Sequence, residues 1–233
     1  MRALLADLER NLIRRLMAET EIERLRLSSV EPMDFSDDLL GLMAESPRIA
    51  PHVHAPLQSG CDRILRRMHR KYRPRHYADR ILKARALMPH AGIGADVMVG
   101  FPGETDADFE ESRSFMESLP FTYLHIFTYS ERPGTPAAAD PRSVAMPVRK
   151  ERNRILRELA ARKNRGFRQS MVGRILSAVT LHEPHSALTG NYLKLTLGGP
   201  QAPNRIVDVP IGGISKDGLL ELGPDSSTIT YRS

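Results

Sequence analysis

The sequence predicts an α/β fold: a partial parallel βα sheet or barrel, followed by a small antiparallel β-barrel. Three observations carry this. Short β-type runs alternate with helical periodicity up to about Ala139, which implies parallel strands joined by right-handed crossovers. One run, Ile93 to Val99, is apolar and β-branched, breaks at Gly100, and feeds a Gly-Phe-Pro-Gly turn and a helix start. Beyond Phe167, short β-type runs follow one another between turn residues, the pattern of a small barrel.

The elements follow in order. Leu4, Leu5, Leu8, Leu12, Ile13, Leu16 and Met17 recur at helical spacing with charged residues between them. Leu25 to Ser28 reads as a strand, and Ser36, Asp37 and Asp38 open a helix over Leu39, Leu40 and Met43. His52 to Leu57 reads as a second strand, ending in Gln58-Ser59-Gly60. Tyr77, Ile81, Ala84 and Met88 share one face of a helix. After the third strand, Thr105 is placed to cap a helix with Asp106 and Asp108 in its first turn. Tyr123 to Tyr129 is the fourth strand. Four strands cannot close a barrel, so the sheet is expected to be incomplete on its N-terminal side. A helix from about Pro147 carries Val148, Ile155, Leu156 and Leu159, with Gly166 as its expected C-cap. The tail strands are expected at Arg174 to Leu181, Tyr192 to Leu197, Ile206 to Val209 and Leu219 to Leu222. These divisions give three parts: 1–140, a linker helix at 141–165, and 166–233.

Composition narrows the function classes. The 233 residues include one cysteine, Cys61, which excludes an internal disulfide and fits a reducing cytoplasm. No apolar run is long enough to span a membrane. The net charge of +6 is concentrated in two blocks, Arg63 to Arg75 and Arg149 to Arg168. Such blocks can follow a phosphate backbone, and they can equally be solvated helix faces. In a βα barrel the turns after the strands share the face where catalytic groups gather. Here the polar residues at those ends are Ser28, Ser29, Glu31, Gln58, Ser59, Asp96 and Tyr129. Asp96 interrupts an apolar strand, where a carboxylate needs bonded partners. Gly100 and Gly103 lack a Cβ and admit a close approach by ligand or backbone. His52, His54 and His125 read as structural histidines.

Four stretches stand in order: RLRLSSVEP (24–32), HVHAPLQSGCDRILRRMHRKY (52–72), ADVMVGFPGET (95–105) and LHIFTYSERPGTPA (124–137). Together they resemble the radical S-adenosylmethionine (radical SAM) tRNA methylthiotransferases. The forms Leu124 to Ser130 and Ser59 to Asp62 resemble the branch that modifies N6-threonylcarbamoyladenosine beside the anticodon. The resemblance implies a radical SAM barrel in residues 1–140 and an RNA-binding, TRAM-like barrel in 166–233. It implies SAM as cofactor, [4Fe-4S] clusters in the full-length enzyme, and tRNA as partner. It also implies an N-terminal half, with the cluster cysteines, that is missing here. Cys61 is not a cluster ligand by this resemblance, so no metal ligand is expected in the chain. Gln58 and Asp96 are expected at the SAM ribose, with Ser28, Ser29, Glu31, Gly100 and Gly103 around the cofactor. Tyr129, Ser130 and Arg132 are expected to face the substrate base. Arg149, Lys150, Arg154, Arg157 and Arg165 are expected to bind tRNA. An RNA-binding remnant without catalysis, and a relative that modifies a ribosomal protein, are the alternatives.

Overall fold

A computed structural model describes residues 2–223, with side chains from Asn11 onward. The chain divides into two compact units, 1–163 and 164–233. The first unit begins with α1 (Arg2–Glu19) and α2 (Asp37–Glu45), then β1 (His52–His54), α3 (Asp62–Arg67) and α4 (Pro74–Leu87). It continues with β2 (Gly92–Val99), α5 (Asp106–Ser118), β3 (Tyr123–Thr128) and the start of α6 (Met146–Gln169). The side chains of Leu4, Leu5 and Leu8 lie outside the described set.

The sheet has three strands in the order β1-β2-β3, all parallel. The expected strand at Leu25 to Ser28 is reduced to isolated bridges, Leu25 with Ile49 and Ser29 with His54. Its apolar residues still pack: Leu25 and Leu27 lean on the core. Two separated bridges satisfy too few backbone groups to hold a ladder.

Strand parity explains the two faces of the sheet. Val53 of β1, Ile93, Ala95, Val97 and Val99 of β2, and Leu124 and Ile126 of β3 are buried in one core. They pack with Tyr77, Ile81 and Ala84 of α4, Phe109 and Met116 of α5, and Leu156 and Leu159 of α6. The opposite parity puts His52, His54, Gly94, Asp96, Met98, Tyr123, His125 and Phe127 on the other face.

Local chemistry sets the helix starts. The Ser36 side chain accepts from the Leu39 N–H at 3.1 Å. Thr105 and Asp108 form a capping box, each side chain accepting from the other residue's backbone N–H.

The second unit contains β4 (Ile175–Thr180), β5 (Ser186–Thr189), β6 (Lys194–Thr196), β7 (Ile206–Ile214) and β8 (Leu219–Glu221). They close a barrel in the order β4-β5-β6-β8-β7. The barrel is mixed rather than antiparallel, because β6 and β8 pair in parallel. Met171, Ala178, Ala187, Leu195, Val209, Ile211 and Leu219 fill it. Gly166 does not end α6, which runs on to Gln169. Phe167 packs against the barrel core, and the buried Arg168 donates to the carbonyls of Ser215 and Lys216. These interactions outweigh the roughly 1 kcal/mol that an interior glycine costs a helix.

Candidate functional site

The site is the sheet face that carries the polar side chains. Three adjacent strands contribute one cluster to it. His54 Nε2 lies 3.3 Å from Asp96 Oδ2, and His125 Nδ1 lies 3.2 Å from Asp96 Oδ1. Asp96 and His125 are register partners on β2 and β3. Behind them the Tyr123 hydroxyl sits 2.9 Å from His54 Nδ1 and 2.7 Å from His52 Nε2. The His52 and Tyr123 rings are stacked, with an interplanar angle of 4°. Burial pushes the His52 imidazole down to about 4, against the Leu27 backbone carbonyl that favours its protonation. Gly94 makes room for this arrangement, since a Cβ there would lie 1.9 Å from the Tyr123 ring. The three histidines read as structural from sequence therefore surround the one carboxylate of the strand. The parity of 52, 54, 94, 96, 123 and 125 was the available signal.

Gln58 stands at the edge of this face. Its backbone adopts φ 64°, its N–H donates to the Asp96 carbonyl (2.8 Å), and its carbonyl accepts from Met98 (2.9 Å). Gln58 lines a cleft of about 490 Å³ with Arg67, His69, Met98, Phe101 and Asp140 among the walls. His69, at φ 55°, lines the same cleft. Two non-glycine residues held in a costly backbone conformation mark the cleft as a place where the fold tolerates strain.

The other expected cofactor residues fall elsewhere. Ser28, Ser29 and Glu31 line a separate cleft of about 440 Å³, walled by Leu12, Leu16, Leu25 and Leu27. Gly100 and Gly103 do take positive φ, 75° and 79°, but the space above them belongs to arginine side chains. A Cβ on Gly100 would meet Arg149 Cγ at 2.4 Å, and one on Gly103 would meet the Arg67 guanidinium at 3.0 Å.

Around Tyr129 the structure is a brace. Tyr129 is buried, its ring meets Phe101 edge-on at 5.5 Å, and the Arg149 guanidinium lies 5.4 Å from its centroid. Ser130 and Arg132 are exposed. Arg149 is 4% exposed and donates to the carbonyls of Tyr129 and Val144, so its donors are occupied inside the first unit. Arg152 is also buried and pairs with the buried Glu104 at 2.7 Å. Glu104 accepts from the Gly100 N–H as well, at 2.7 Å. On α6, Lys150, Arg154, Arg157 and Arg165 are exposed, with Arg154 paired to Glu151 and Glu158.

Cys61 is buried, and its thiol donates to Asp108 Oδ1 at 3.3 Å. Burial pushes it up to about 12. One protonated, enclosed thiol does not fit a four-iron cluster, which takes several thiolates.

Residues 2–116 match the Radical SAM superfamily. A tRNA-2-methylthio-N(6)-dimethylallyladenosine synthase of Coxiella burnetii is 45% identical over 162 residues, covering 70% of this chain and 37% of that protein. Proteins of the same description from Thermobifida fusca and Mycobacterium marinum are 46% and 45% identical, over 66% and 91% of this chain. The chain spans 31% and 37% of their respective lengths. Among the described residues, no helix is long and apolar enough to cross a membrane. The superfamily match on the sheet unit, with tRNA methylthio synthases matching up to 91% of the chain, supports its place in the radical SAM tRNA methylthiotransferase family.

Proposed function

We propose that these residues serve the methylthiolation of an N6-substituted adenosine in tRNA, as part of a radical SAM enzyme whose cluster ligands lie outside them. The carrying observation is the match to named tRNA methylthio synthases at 45% identity. In this reading the Gln58 amide takes the SAM ribose at the 490 Å³ cleft, with Met98 and Phe101 as apolar walls. Ser28, Ser29 and Glu31 serve the second cleft. Asp96, with an imidazole on each oxygen, is assigned to the histidine cluster rather than to the ribose. Gly100 and Gly103 shape the turn that Arg149 and Arg67 cover, and Tyr129 supports Phe101 from behind. Ser130 and Arg132 are the exposed candidates for the substrate side.

Lys150, Arg157 and Arg165 supply tRNA phosphate contacts from exposed positions of α6, with Arg154 a weaker contributor because of its two glutamates. The closed five-stranded barrel is consistent with a TRAM-like RNA-binding role.

The dimethylallyl substituent is the first reading, since the relatives carry it in their names. The threonylcarbamoyl substituent is the second, favoured by the Leu124 to Ser130 motif. A chimera tests both: residues 2–223 replace the matching segment of the Coxiella relative, and bulk tRNA nucleosides are analysed by mass. Methylthio on the dimethylallyl nucleoside supports the first reading, and methylthio on the threonylcarbamoyl nucleoside the second. Neither product, from a folded chimera with its clusters loaded, overturns the proposal.

A further inference from the structure

We propose that His54, Asp96 and His125 form a binding site for a divalent transition-metal ion of the zinc or iron(II) class. The three side chains come from three adjacent strands and converge on the open sheet face, one ligand atom from each lying within 4.8 Å of the other two. The two nitrogen–oxygen separations, 3.3 and 3.2 Å, suit a shared ion. Ligands held about 2.0–2.2 Å from one ion in tetrahedral or octahedral geometry lie roughly 3–3.5 Å apart. Two imidazoles and one carboxylate are a donor set for zinc or iron(II), and are too rich in nitrogen for calcium or magnesium.

The second observation is the group behind His54. A metal-binding histidine needs its other ring nitrogen held, because that fixes the tautomer and the ring plane. His54 Nδ1 meets the Tyr123 hydroxyl at 2.9 Å, while Nε2 points to the carboxylate. The hydroxyl carries one proton and touches both His54 and His52. It can donate to His52 Nε2 and accept from His54 Nδ1, which leaves the His54 Nε2 lone pair facing Asp96. In that tautomer the two lone-pair groups at 3.3 Å need a proton or a metal ion between them, and a metal ion can be shared with His125 on the other oxygen. Access is open, since the His125 side chain is 50% exposed and that of Asp96 27%. The site is built from side chains that the tRNA reading does not use, so it stands or falls separately.

The test uses the full chain, stripped with chelator and titrated with Zn²⁺ by calorimetry and with Co²⁺ by visible absorption. We expect one equivalent of Zn²⁺, and a Co²⁺ d–d spectrum with intensity typical of nitrogen–oxygen coordination. His125→Ala and Asp96→Asn should each weaken Zn²⁺ binding by about 100-fold or more. Tyr123→Phe should weaken it about 10- to 100-fold by freeing the His54 ring. His76→Ala and His182→Ala, outside the cluster, should change nothing. Circular dichroism of each variant reports whether it is folded; His125 is half exposed, so its variant keeps the test valid should Asp96→Asn fail to fold. Absence of stoichiometric binding, or binding unchanged in folded His125→Ala, would overturn the proposal and leave a histidine–carboxylate ion pair in its place.

Discussion

Removing the Arg152 guanidinium should cost the first unit a large part of its stability. Arg152 and Glu104 have side chains 5% and 1% exposed and face each other at 2.7 Å. Arg152→Ala leaves Glu104 buried, with the Gly100 N–H as its remaining partner among the described residues. Breaking a buried pair from one side costs about 3–5 kcal/mol, against a usual total of about 5–15. With a urea m-value of about 2 kcal/mol/M, the midpoint should fall by roughly 2 M. The contrasting variant is Asp106→Ala. Asp106 also bonds Arg152, but its side chain is 97% exposed, so its loss should barely register.

The pH dependence has a definite sign. Burial already raises the Glu104 carboxyl, and Arg152 and the Gly100 N–H pull it back. Without Arg152 its folded-state pKa climbs further above the unfolded value. A group raised in this way favours the fold below its unfolded pKa and loses that contribution as pH rises through its folded pKa. The damage from Arg152→Ala should therefore be greatest at neutral pH and shrink as the medium is acidified toward the ordinary glutamate range. Far-UV circular dichroism is the assay: the chain has no tryptophan, and α1 to α5 all lie in the first unit. A loss below about 1 kcal/mol at neutral pH, with no recovery on acidification, would refute the reasoning.

Gly94→Ala should destabilise by about 1–3 kcal/mol, the range for overpacking, because its Cβ would collide with the Tyr123 ring; thermal melting measures it, and an unshifted melt would show that the ring moves freely. Cys61 should resist a thiol reagent at mildly alkaline pH in the folded protein and react on unfolding, since its thiol is buried and raised to about 12; rapid labelling of native protein would contradict its placement. Neutralising Lys150, Arg157 and Arg165 together should weaken tRNA binding and flatten its salt dependence, by about one unit of slope for each phosphate that no longer meets a cation. Arg149→Gln should instead lower the melting temperature, and a pure loss of RNA affinity with normal stability would return Arg149 to the RNA-facing set.

The parts legible in the sequence were those fixed by short-range chemistry. The apolar strand at Ile93, the glycine turn, the Thr105 cap and the apolar stripe of α4 each follow from residues within one or two turns of one another. Long-range pairing was not legible. Leu25 to Ser28 has strand composition, yet only isolated bridges reach it, because a strand exists through its partner. Ser186–Thr189 went unrecognised as a strand, since only Ala187 and Thr189 face inward in so short a segment. The basic block before the tail misled differently. Arg149, Arg152, Leu156 and Leu159 follow helical spacing and are all buried, so two cations occupy the inward stripe where Val148 was expected. Charge alone argued for an outward position; the Tyr129 carbonyl that meets Arg149 and the Glu104 carboxylate that meets Arg152 come from earlier elements, outside the helix that carries the stripe.

The parallel pairing of β6 with β8 bears on how the tail is made. Leu195 pairs with Leu219, and β8 also borders β7 through Leu219 and Ile214. The strand that closes the ring is the last of the five in chain order. A nascent chain released before Leu219 would carry β6 and β7 with unpaired edges, open to strand exchange with any neighbouring polypeptide. Synthesis from the N-terminus thus delays closure to the final strand. Frameshifts and stop codons upstream of Leu219 would then yield products that aggregate instead of shortened but orderly barrels.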